Sequence, residues 1–287
     1  MSWNKMKRRA FLKALSTSII AGGIVPAKVL AEIARKSPES SLKEYDNHIK
    51  DYLQKIQSFD THHARDVYLN QSDFLLLKSS TMRFKRLQRT VGYGNFHLLS
   101  FDDAIKIARN YSKVGAFSKQ ECAFLEKIFY GDPVVYGFFG EKPVKKLTDR
   151  IKKREVVKIR HTGNYIYKGA PLETYRKIKR DIGDQVILTS GVRSVIKQFL
   201  LFLNKAHSNT GNLSLASRSL APPGYSFHGV SDFDVGQVGF VGANFTGRFI
   251  KTDVYKKLKE LGYLRLRYPQ ANLLGVRFEP WHIKIQT

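Results

Sequence analysis

A change of texture near residue 155 constrains the fold of this chain more than any other feature. From about Phe101 to Ile151, apolar residues recur at helical spacing. After residue 155, short runs rich in β-formers alternate irregularly with amphipathic stretches. In the first part, Ser100-Phe101-Asp102-Asp103 opens a predicted helix with Ile105, Ile107 and Ala108 on its inner face. Ser118, followed three residues later by Glu121, is a capping-box pattern ahead of Phe124, Leu125 and Ile128. The glycine- and proline-punctuated stretch from Tyr130 to Pro143 reads as a loop. In the second part, residues 156–159, 165–167, 186–189, 233–241 and 274–285 are strand-like, and 171–182, 192–206 and 254–261 are helical. Strands and helices mixed without regular βαβ alternation predict an α+β domain over 155–287. Residues 32–154 form a mostly helical region before it, either a separate domain or a lobe packed on it, and 32–60 read as a linker running into a helix.

The N-terminus predicts where the chain works. Lys7-Arg8-Arg9-Ala10-Phe11-Leu12-Lys13 is followed by a short apolar stretch and the small-residue exit Val29-Leu30-Ala31. A basic head, apolar centre and small-x-small exit make a signal peptide over residues 1–31. The paired arginines before Phe-Leu-Lys resemble a twin-arginine signal, although Lys7 stands where Ser or Thr is usual. The apolar centre is shorter than the roughly 20 residues of a membrane span. The expected location is therefore periplasmic or extracellular. The chain carries a formal charge of +25. The leader holds six basic residues and no acid, so its removal leaves +19. Charge alone fits nucleic acid, anionic membrane or anionic wall polymer equally well. For an exported protein it fits anionic envelope polymers and not nucleic acid. Cys122 is the only cysteine, which excludes an intramolecular disulfide and a cysteine-based zinc site. Any metal must be held by His, Asp or Glu.

Three C-terminal segments carry the chemistry: Ser190-Gly191-Val192-Arg193-Ser194 with Gln198 a helical turn later, Tyr225 to Asp234, and Glu279-Pro280-Trp281-His282. Two histidines and an aspartate, His228, His282 and Asp234, are donors that zinc accepts, with a fourth position left for water. Glu279, close to His282 in sequence, is a candidate to take a proton from that water. Asp232 and Asp234 share a strand face, so Asp232 is either a rival ligand or a partner of one. His62-His63 beside Arg65 and Asp66 forms a second tempting pair, but adjacent side chains diverge and a surface role is expected. Tyr165 and Tyr167 share another face, as core and rim or as groove lining.

In this order the segments resemble the zinc D-alanyl-D-alanine carboxypeptidases of bacteria, the VanY-like peptidases, whose fold is shared with the hedgehog signalling domain. That family carries Ser-Gly-Tyr-Arg-Ser with a Gln shortly after, then Ser-x-His-x-x-Gly-x-Ala-x-Asp, and finally Glu-x-Trp-His. Glu279, Trp281 and His282 match the last motif in full, and the first is matched except that Val192 replaces Tyr. In the middle motif His228 and Asp234 are six apart, where the family has seven, which keeps Asp232 as the alternative ligand. The resemblance covers roughly residues 160–287. It implies a hedgehog/DD-peptidase-type domain in which Zn2+ is held by His228, Asp234 and His282. It further implies Glu279 as general base, Arg193 at the oxyanion or a substrate carboxylate, and Ser226 and Gln198 as peptide-binding residues. Trp281 is expected to buttress the site. The implied reaction is hydrolysis of peptidoglycan stem peptides at D-Ala-D-Ala, or alternatively at an L,D bond or a cross-link. The competing expectation is a non-catalytic peptidoglycan-binding protein that keeps the fold.

Overall fold

The long amphipathic helix α1 (Gln71–Val91) organises the first half of the described chain. The computed structural model describes residues 51–270 and 272–286; the predicted leader and most of the linker after it lie outside the described residues. Asn70 caps α1 by accepting from the Asp73 amide, and Leu77, Phe84 and Leu87 form its buried stripe. Helices α2 (Phe101–Asn110) and α3 (Lys119–Tyr130) follow. Ser118 and Glu121 make the reciprocal capping box that the sequence predicts. The inner face of α2 is Phe101, Ala104 and Ala108, with Ile105 and Ile107 only partly buried. Small alanines let the helix approach α1 and α5 more closely than isoleucines would.

The second half contains two small antiparallel sheets. Strands β1 (Val156–Lys158) and β2 (Tyr165–Tyr167) form a hairpin that puts Ile166 in the core. After helix α4 (Ala170–Ile182) comes β3 (Val186–Ser190), then α5 (Val195–His207) and α6 (Leu213–Ser219). Strand β4 (Phe233–Gln237), helix α7 (Asp253–Glu260) and β5 (His282–Ile283) complete the order, and the three-stranded sheet runs β3-β4-β5. The fold is α+β. The strand expected over 274–285 shrinks to two residues. Its backbone partners lie elsewhere: Leu274 O accepts from Phe139 N, and Arg277 N donates to Arg218 O. At Gly275, with φ of 85°, a Cβ would lie 2.1 Å from Gly137 O, so the start of this stretch packs on a loop of the first half and not on the sheet.

Two apolar clusters underlie these layers. One, including Ile178, Val186, Phe233, Val235 and Trp281, sits beneath the three-stranded sheet and α4. The other joins α1, α2 and α3 to α5, with Phe199 stacked 6.0 Å from Phe84. Helix α5 thus belongs by sequence to the second half and by packing to the first. The four-residue link between β3 and α5 carries Arg193 across the seam. Among the described residues, no helix is long and apolar enough to cross a membrane.

Candidate metal centre

Sheet register brings the first two groups together. Asp234 on β4 is the direct cross-strand partner of His282 on β5, and on its other side it pairs with Ser190 of β3. His228 reaches the same point from the 3-10 turn Phe227–Gly229, held at both ends by the β3–α5 link. Its Nδ1 lies 2.8 Å from Gly191 O, and its own carbonyl accepts from Arg193 N at 3.0 Å. Gly191 must be a glycine: a Cβ there would sit 1.9 Å from Tyr165 O.

The ring nitrogens left over all face one centre. His228 Nε2 and His282 Nδ1 each lie 3.2 Å from Asp234 Oδ1. The candidate ligand atoms of the three residues fall within 4.8 Å of one another, all buried. A carbonyl partner requires His228 Nδ1 to carry the proton, so in the neutral ring Nε2 is a bare lone pair. His282 Nε2 faces Asp232 Oδ2 at 2.9 Å and is likewise the protonated nitrogen, leaving Nδ1 inward. His228 Nε2 and Asp234 Oδ1 are buried without a hydrogen-bond partner among the described residues. Two orphaned buried atoms, His228 Nε2 and Asp234 Oδ1, converging with His282 Nδ1 fit a divalent cation of zinc's preferences. Asp232 is not one of the converging groups; it stands behind His282.

Charge supports the same arrangement. Burial alone would raise the Asp234 carboxyl, but its surroundings, with the Arg193 guanidinium foremost once the His228 ring is neutral, hold it well below the usual carboxylate range. Burial also lowers the His228 pKa and keeps that ring neutral, so the permanent neighbouring charge is Arg193, 2.6 Å from Asp234 Oδ2. This ion pair leaves Oδ1 as the free oxygen. Burial disfavours a charged His282, yet Asp232, Asp234 and Glu279 around it raise its pKa well above that of a free imidazole. A proton there answers the same negative field that a cation would.

The remaining expected residues fall around this centre with unequal freedom. Glu279 Oε2 is 3.5 Å from His282 Nδ1, and its side chain is 12% exposed, at the cleft wall. Arg193 spends Nε on Ser190 Oγ and Nη2 on Asp234. Ser226 lines the cleft. Gln198 is a bracket: its amide donates to Arg193 O and accepts from Gly224 N, tying the start of α5 to the turn before His228. Trp281 is buried beneath the sheet against Phe245. His62 is exposed, with Nδ1 2.7 Å from the Tyr68 hydroxyl, and belongs to no convergent group among the described residues. Sequence reasoning missed Tyr268, whose ring stands 5.5 Å from His282, because nothing local marks it.

The space at the centre is small. A cavity of about 20 Å³ lies between Arg193, Ser226, Tyr268, Glu279 and the two histidines. That exceeds the roughly 10–15 Å³ one water needs. Beyond Arg193 and Gln198 opens a cavity of about 320 Å³, bounded by Val144, Arg150, Tyr167 and Val230. The Tyr167 hydroxyl donates to Gly229 O across its wall.

An α+β domain with a buried His/Asp/His centre and a carboxylate at its edge has the parts of a metal-assisted hydrolase. Residues 170–286 match the family model described as VanY, D-alanyl-D-alanine carboxypeptidase. Among solved structures, the chain is similar to a vancomycin-resistance D,D-pentapeptidase VanY variant from a VanB-type cassette, in complex with Zn(II). Identity is 26% over 45% of this chain and 76% of the other, with a TM-score of 0.34. It is also similar to VanYB in complex with D-alanine-D-alanine, at 26% identity over 45% and 75% of the two chains and a TM-score of 0.34. The LdcB LD-carboxypeptidase matches at 21% identity over 47% and 69%, with a TM-score of 0.37. A comparison with curated proteins finds no match.

Proposed function

We propose that this protein is a zinc-dependent carboxypeptidase that trims peptidoglycan stem peptides outside the cytoplasm, reached through its twin-arginine leader. The convergence of His228 Nε2, Asp234 Oδ1 and His282 Nδ1 beside Glu279 carries this reading. The VanY family match over residues 170–286 supports its peptidase character. Zinc held there supplies Lewis acidity, polarising a carbonyl and bringing the pKa of water to about 7. The chain's own groups do the rest. Glu279 takes a proton from the attacking water and returns it to the leaving amine. Arg193 presents the guanidinium nitrogen not engaged by Ser190 or Asp234 to the developing oxyanion. Ser226 offers a hydroxyl to the peptide, and the larger cavity beyond Arg193 gives the peptide chain room.

Digestion of defined penta- and tetrapeptide muropeptides tests this. The zinc-loaded wild type is expected to release the C-terminal residue, and Glu279→Gln to lose about 10²–10⁴ of the rate while keeping its metal. A zinc-loaded wild type that binds muropeptides and cleaves none would point instead to a non-catalytic peptidoglycan-binding protein that keeps the fold.

A further inference from the structure

The spacing of six between His228 and Asp234 shortens a turn, and the structure shows how that turn closes. The Phe227 carbonyl accepts from the amides of Val230, Ser231 and Asp232 at 3.0, 2.9 and 3.1 Å. This pulls Asp232 inward, to a position two residues before Asp234 where the resembled motif carries alanine. Asp232 is 1% exposed, and four donors surround it. Oδ2 accepts from His282 Nε2 at 2.9 Å and from Arg267 Nε at 2.5 Å. Oδ1 accepts from Ile285 N at 3.0 Å and from Ser231 Oγ at 3.1 Å. The Arg267 guanidinium in turn lies 3.3 Å from the centroid of the Phe227 ring.

We propose that Asp232, locked by the Arg267–Phe227 stack, is a positioning residue that fixes the His282 ring and its tautomer so that Nδ1 is aimed at the metal. The proposal rests on the reading of His282 as a zinc ligand. Three features separate this role from a generic buried ion pair. Asp232 contacts the nitrogen opposite the one that faces the centre, so it dictates which nitrogen is bare. It joins both ligand-bearing segments, since the Ile285 amide and His282 lie on one and Ser231 and Asp232 on the other. Arg267 supplies the compensating charge, so that a full carboxylate can be buried behind the ligand.

The test is zinc affinity of the full chain by chelator competition, together with the imidazole ¹⁵N shifts of His282 in zinc-loaded protein. Wild type is expected to bind zinc with His282 protonated at Nε2. Asp232→Ala is expected to bind zinc 10–100-fold more weakly and Asp232→Asn roughly 10-fold, with the zinc-loaded ring bound through either nitrogen. The near-isosteric Asn variant carries the test if the Ala variant does not fold. Both variants within twofold of wild type, or a lower melting temperature with unchanged affinity and an unchanged His282 tautomer, would overturn the proposal and leave the metal reading standing. A wild type that binds no zinc would overturn both.

Discussion

At Gly191 the backbone leaves no space for even a methyl group, and the same residue's carbonyl orients His228. Gly191→Ala is therefore expected to act twice. Overpacking against the Tyr165 carbonyl costs about 1–3 kcal/mol of stability, and displacement of the Gly191 carbonyl loosens His228. Urea denaturation checks the first effect and zinc titration the second; an unchanged midpoint would refute the close contact. Glu279 behaves differently, because it stands outside the converging triad and its loss should spare metal content. These residues were legible in the sequence as motif positions, since Glu-x-Trp-His and Ser-Gly-x-Arg are local strings. Their partners were not. Arg267 and Tyr268 reach the site from a loop with no marker, and only the folded chain shows that Asp232 backs His282 while Asp234 faces the centre. Gln198, expected to bind peptide, has both ends of its amide engaged by backbone groups, a role no spacing rule reveals.

Among the elements, the connection most exposed to test joins the segment before α1 to α6. Arg218 on α6 makes a forked pair with Asp66, at 2.6 and 3.0 Å, and both side chains are nearly fully buried. Arg218 also donates to Phe59 O and Thr61 O. Breaking such a pair strands a buried charge, so Arg218→Ala is expected to lose about 3–5 kcal/mol in urea unfolding. The pair also sets a pH dependence. Burial pushes the Asp66 carboxyl up, but the bonds from Arg218, Asn212 and the His63 amide outweigh it and lower its pKa to about 2, against 3.8 for the free group. A depressed carboxylate contributes stability above its unfolded pKa and loses it as pH falls through the folded one. The wild-type urea midpoint should therefore fall between about pH 4 and pH 2, and Asp66→Asn should show a shallower fall over that window. Equal slopes would contradict the assignment. Elements with strong local signals, such as the Ser118–Glu121 cap and the helix after Gly169, were readable from sequence. The 274–281 segment was not, because its alternation resembles a strand while Leu274 and Arg277 bond to Phe139 and Arg218 and only Trp281 O reaches β4.

Across the whole molecule, the domain that matches the VanY family begins at residue 170, yet α5 buries Phe199, Phe202 and Leu203 against the helices that precede it. Fully burying such a side chain contributes about 1.5–3 kcal/mol. A fragment spanning 155–287 would leave that face uncovered. It is expected to aggregate or to lack cooperative unfolding, as judged by near-UV circular dichroism and a thermal scan, whereas the full chain unfolds cooperatively. A fragment that folds and binds zinc like the full chain would show the helical half to be dispensable. The change of texture at residue 155 marks a real shift from helices to mixed structure. It does not mark the packing boundary, because patterning reports which face of a helix is apolar and not which partner covers it.

The proposed activity requires His228, Asp234 and His282 to hold one zinc ion. Metal content of the purified full chain, after dialysis against a weak chelator, tests this most directly. One zinc per chain in the wild type, and less than about a tenth of that in His282→Ala and Asp234→Ala, is the expected result. A wild type without zinc, or variants that keep it undiminished, would contradict it.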